Sequence, residues 1–129
     1  MKPQWVDIQV NGRHGVPLRS PSLTVEQVIF LTEKLRDEGT AAYVSALTTT
    51  TPPETAVRNV RVIVEARRRS AECARRILGI HFEGPFISSE PGYAGAHAPA
   101  SKCCLISPYK LKITFPPLTA FINSSSLLP

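Results

Sequence analysis

His81 and Glu83 close an apolar run, Ile77-Leu78-Gly79-Ile80-His81-Phe82-Glu83, which stops at Gly84-Pro85. Two residues apart on an extended chain, the imidazole and the carboxylate share one side of the pleat. Burying such a pair costs several kcal/mol unless it is neutralised, hydrogen-bonded or bound to a metal. An ionisable pair at the end of a buried strand therefore points to chemistry rather than packing, and a carboxylate there is suited to hold a divalent cation. A glycine-containing loop, Pro91-Gly92-Tyr93-Ala94-Gly95, follows and ends at Ala96-His97; its glycines let backbone approach a ligand closely.

These residues carry a family resemblance. Ile80-His81-Phe82-Glu83-Gly84-Pro85-Phe86-Ile87-Ser88 with Gly95-Ala96-His97 resembles the signature of N-acetylglucosamine-6-phosphate deacetylases, a branch of the metal-dependent amidohydrolases. Asp7-Ile8-Gln9-Val10-Asn11-Gly12 with His14-Gly15-Val16 is similar to the same family's first barrel strand. The resemblance runs from about Val6 to His97 and implies hydrolysis of the N-acetyl group of N-acetylglucosamine 6-phosphate, giving glucosamine 6-phosphate and acetate in amino-sugar metabolism. By that resemblance Glu83 is a metal ligand, and Ala96 and His97 touch the substrate. The metal implied is one divalent ion, zinc, which activates water near neutral pH and polarises the amide carbonyl. The family's two ligating histidines and its general acid/base aspartate lie on later strands, and nothing after His97 matches them.

Many amidohydrolases open the first strand with His-x-His, whereas this chain has Gln9-x-Asn11. Amides are poor zinc ligands beside imidazole, so the substitution fits a single-metal branch. Gln9 and Asn11 stand either in a hydrogen-bonded polar layer or in direct contact with ligand. His81 is either a hydrogen-bond partner behind Glu83 or a buried, satisfied histidine. His14, in the loop after the first strand, receives no chemical role.

The elements that must position these groups are legible in order. Residues 6–10 alternate, with Val6, Ile8 and Val10 on one side and Asp7, Gln9 and Asn11 on the other. A helix then starts at Thr24, with Gln27 completing a capping box, Leu23 stapling against Val28, and Gly39 as its terminator. Val28, Leu31 and Leu35 form its buried stripe. Residues 41–47 read as a second strand. Thr51 is placed to cap a second helix, with Pro52 as first helical residue, Glu54 as box partner, and Val57, Val60 and Val64 as stripe, reaching about Ala74. Residues 77–82 form the third strand. The order β-α-β-α-β predicts an α/β fold with parallel strands, and the resemblance makes it a partial (β/α)8 TIM barrel, its first three strands and two helices. Gln9, Asn11, His81 and Glu83 all fall at strand C-termini, the catalytic edge of such folds.

At 129 residues the chain is short for a closed barrel of about 250. Residues 1–99 are expected to be the N-terminal part of the barrel domain. Residues 100–129 are expected to be a non-homologous, irregular tail: no Asp or Glu occurs from Pro91 onward, and Pro116-Pro117 and Ser124-Ser125-Ser126 break any period, with Ile113 to Phe115 at most briefly extended. With one recognisable ligand and no catalytic aspartate, the chain is expected to be an inactive fragment with open strand edges.

The net charge of +5 raises a different class of function, a non-catalytic basic module using the arginine-rich helix. Arg67, Arg68, Arg69, Arg75 and Arg76 are interleaved with Glu65 and Glu72, which stand at helical spacing to pair with Arg61, Arg69, Arg68 and Arg76, and no aromatics are interspersed. That pattern describes a solvated outer face, not a nucleic-acid surface. No apolar run reaches membrane-spanning length and no signal-peptide pattern opens the chain. The three cysteines, Cys73 and Cys103-Cys104, match neither a disulfide framework nor a CxxC site. A cytoplasmic protein with reduced thiols is expected, its full-length relatives being homo-oligomers.

Overall fold

A computed structural model describes residues 4–48 and 51–83 of the chain. The elements run β1 (Trp5–Val10), β2 (Gly12–Arg13), β3 (Val16–Pro17), α1 (Val25–Asp37), β4 (Thr40–Thr48), α2 (Pro53–Arg69), α3 (Ala71–Arg76) and β5 (Ile77–Glu83). The fold is α/β. β4 lies between β1 and β5, and both pairings are parallel, as the helical connections require. The register sets Val10 beside Ser45 and Glu83 beside Thr48.

Helix α1 forms as its local signals demand. Thr24 Oγ1 accepts from the Gln27 N–H at 3.2 Å, and Gln27 Oε1 accepts from the Thr24 N–H at 3.0 Å, closing the box. At the other end Gly39 adopts φ 101°, a conformation that suits glycine, and its N–H reaches the Arg36 carbonyl at 2.9 Å. Val28, Leu31 and Leu35 are buried against Tyr43 and Leu47 of β4, together with Ile63, Ala66, Cys73 and Ile77. Each large side chain so buried contributes about 1.5–3 kcal/mol.

A short hairpin that the strand and helix periods do not predict follows β1. His14 (φ 53°) and Gly15 (φ 75°) turn β2 back onto β3, a two-residue turn with both central residues at positive φ. Gly12 is required by close approach: a Cβ there would stand 2.4 Å from the Val16 carbonyl oxygen. Arg13 and His14 both reach Glu38 just past α1, at 3.3 and 2.8 Å.

The second helix departs from expectation in its start, its cap, its length and its buried face. It begins at Pro53, with Pro52 at φ −54°, ψ 146° as the cap residue and no side-chain capping bond. A residue preceding proline is barred from the α region, so Pro53 holds Pro52 extended and displaces the start by one residue. Thr51 Oγ1 is buried without a hydrogen-bond partner among the described residues instead of capping the helix. The helix also breaks at Ser70 (φ −129°, ψ 120°), whose hydroxyl accepts from the Cys73 N–H at 3.3 Å and opens α3. The buried face consists of Asn59, Ile63 and Ala66, while Val57 and Val64 are exposed.

Asn59 is held in the interior by its hydrogen bonds. Its Nδ2 donates to the Leu18 and Ser20 carbonyls at 2.8 and 2.9 Å, tying the segment after β3 to α2. A second buried cluster joins α1, β4 and α3. Thr32 Oγ1 donates to the Val28 carbonyl at 2.8 Å, leaving its oxygen to accept from Tyr43 Oη at 2.8 Å and Cys73 Sγ at 3.3 Å. Burial pushes the Tyr43 phenol above its ordinary pKa, partly offset by its bond to Thr32.

Candidate functional site

The sheet's C-terminal edge brings together two of the residues selected from sequence. Asn11, one residue past β1, donates from Nδ2 to Glu83 Oε2 at 3.3 Å. Glu83 is half-buried as a residue at the end of β5, while Asn11 is exposed. Gln9 is exposed on β1, and its backbone N–H is held by the Asp7 carboxylate at 2.9 Å.

His81 is exposed rather than buried. The apolar run ending in Glu83 is accordingly half-sheathed: β5 is an edge strand, and its helix-side residues Ile80 and Phe82 pack on the core while the position between them meets solvent. Ala96 and His97, the loop before them, Cys103-Cys104 and the segment 100–129 lie outside the described residues.

As a metal site the described residues are incomplete. They contain no group of three His, Cys, Asp or Glu side chains able to hold an ion. Glu83 fits one corner of such a site: it is an oxygen donor at a strand's C-terminus, and it accepts a hydrogen bond from the Asn11 amide.

Several arginines of α2 and α3 are engaged in local contacts. Glu72 pairs with Arg75 and, at 2.6 Å, with Arg76, whose guanidinium also donates to the Thr40 and Ala41 carbonyls at 2.9 Å each. Arg69 pairs with Glu26 of α1 at 3.1 Å. The Glu72–Arg76 pair follows the helical spacing, whereas Arg69 finds its acid on a neighbouring helix. Among the described residues no helix is long and apolar enough to cross a membrane.

The link between Asn11 and Glu83 is hidden from sequence reasoning because it depends on strand order. Both residues are readable as strand ends, but nothing local says that β1 and β5 flank one strand.

No family model matches the chain. It is similar to N-acetylglucosamine-6-phosphate deacetylase of Danio rerio, 33% identical over 99 residues, covering 75% of this chain and 23% of that protein. The enzymes of that name from Mus musculus and Homo sapiens are 32% and 31% identical over 101 residues. The backbone superposes on the crystal structure of N-acetylglucosamine-6-phosphate deacetylase from Pasteurella multocida with a TM-score of 0.66 and 29% identity, covering 82% of this chain and 26% of that one. The chain thus spans about a quarter of the length of the relatives it matches.

Proposed function

From a chain that resembles N-acetylglucosamine-6-phosphate deacetylases in both sequence and backbone, we propose that residues 1–99 are the N-terminal part of such an enzyme's catalytic domain. In this reading β1, β4 and β5 are the first three strands of a (β/α)8 barrel, and residues 100–129 stand outside it. The observation that carries the reading is the Asn11–Glu83 hydrogen bond at the C-terminal edge of a parallel sheet, the edge where such folds place their chemistry.

Glu83 supplies one ligand to a single divalent cation, zinc, and the remaining ligands come from beyond the matched span. The cation, when bound, provides Lewis acidity and an activated water for amide hydrolysis. Ala96 and His97 contact N-acetylglucosamine 6-phosphate, with the imidazole beside the acetamide carbonyl. Gln9 and Asn11 line the site as hydrogen-bonding amides, which disfavours a second metal. The protein works in the cytoplasm, its full-length form a homo-oligomer, without nucleic-acid or membrane partners.

A chimera tests the activity. Residues 6–97 of this chain, exchanged into the matching segment of a related deacetylase, are expected to sustain acetate release from N-acetylglucosamine 6-phosphate. Glu83→Gln in that chimera lowers the release by more than about 100-fold. A folded chimera whose acetate release is unchanged by Glu83→Gln would overturn the ligand assignment. The 129-residue chain alone is expected to release no acetate above background, because the remaining ligands and the general acid/base aspartate implied by the resemblance lie beyond the matched span.

The alternative basic module is disfavoured by the pairing of Arg69, Arg75 and Arg76 with Glu26 and Glu72. No retention of DNA or RNA at low ionic strength is expected.

A further inference from the structure

The Asn11–Glu83 bond joins two strands that do not pair with each other. β1 and β5 flank β4, so their backbones are separated by two strand spacings, about 10 Å. The two side chains close that gap over the end of β4, where Thr48 is the register partner of Glu83. The chemistry of the groups dictates which way the amide faces. A carboxylate only accepts, and a primary amide donates only through its nitrogen, so Nδ2 is turned toward Glu83 and Oδ1 away from it.

We infer that Asn11 is a positioning residue for the Glu83 carboxylate: its amide N–H engages Oε2 and helps confine the side chain to one rotamer at the sheet edge. A glutamate with several rotatable bonds surrenders conformational freedom when it binds a ligand, and a donor already holding one oxygen removes part of that cost beforehand. Of the two roles open to Asn11 from sequence, this is the hydrogen-bonded polar layer. Its consequence for cation binding rests on the reading of Glu83 as a ligand; the positioning itself does not.

The test uses the isotopically labelled 129-residue chain. In metal-free buffer near neutral pH, three-bond couplings of Glu83 are expected to report one dominant rotamer. Asn11→Leu, nearly isosteric without a donor, and Asn11→Ala should average those couplings while amide shifts elsewhere in β4 and β5 stay put. Asn11→Gln, which keeps the donor, should restore them in part. Averaged couplings in the parent, or unchanged couplings in both Asn11→Leu and Asn11→Ala, overturn the inference.

Titration with Mn2+ of the metal-free chimera carrying residues 6–97, in which the acceptor enzyme supplies the remaining ligands, then separates the two claims, the unsubstituted chimera serving as parent. Paramagnetic broadening centred on Glu83 should require about tenfold more Mn2+ in Asn11→Leu than in the parent, and should vanish in Glu83→Gln. If the parent shows no broadening there, the ligand assignment of Glu83 falls, and the couplings still decide the role of Asn11. Equal Mn2+ sensitivity in parent and Asn11→Leu refutes pre-organisation of the carboxylate for a cation.

Discussion

Asn59 and Tyr43 show how single polar atoms set the interior of this protein. Asn59 occupies the face of α2 where a periodic pattern would place an apolar residue, because its amide satisfies two carbonyls beyond β3. Asn59→Leu leaves both carbonyls without their donor and is expected to cost about 2–4 kcal/mol in urea unfolding. Tyr43 makes a different prediction. Its phenol is raised by burial, so folding favours the neutral form: that stabilisation is complete below the ordinary phenol pKa and is lost as pH climbs past it toward the raised value. Tyr43→Phe should cost only about 1 kcal/mol near neutrality and should flatten the alkaline limb of the stability curve. Neither effect is legible from residue type alone. Asparagine reads as a surface residue and tyrosine as an ordinary core aromatic until their partners, far away in sequence, are known.

The elements divide by how local their signals are. Helix α1 is readable to within a residue, since its capping box, its stripe and Gly39 all act within a few positions of one another. Helix α2 is not. Two consecutive prolines shift its start, and Ser70, unremarkable inside an arginine-rich stretch, cuts it in two by capping Cys73. Ser70→Ala is expected to lower stability by about 1 kcal/mol and to weaken amide-exchange protection selectively at Cys73 and Ala74. The β2–β3 hairpin escapes sequence reading because each strand has two residues, too short for any period. Gly12→Ala should be destabilising in thermal melts by at least about 1 kcal/mol, since both the positive φ and the Val16 carbonyl oppose a Cβ. Of the candidate site, the position of Glu83 at a strand's end is evident from the apolar run. Its contact with Asn11 requires the order of strands, a property of the whole sheet.

At the scale of the molecule, β1 and β5 are the edge strands of the sheet among the described residues, and β1 is the one with exposed apolar side chains. Trp5, Val6 and Ile8 are 49%, 52% and 74% exposed, although the alternation of β1 reads as a strand with a buried side. Only Val10, at the end of that side, enters the core. Exposed apolar side chains on an edge strand invite self-association. Ile8→Lys is therefore expected to raise the concentration at which light scattering still reports monomer, with little change in thermal midpoint. The interior presents the opposite case. Cys73 is fully buried, its thiol bonded to the Thr32 hydroxyl, which in turn bonds the Tyr43 hydroxyl. An alkylating reagent can meet that sulfur only after α3 lifts away from α1, so with Cys103 and Cys104 replaced by serine, the rate of its capture times the opening of the helical layer. The sealed thiol is a stopwatch already wired into the fold.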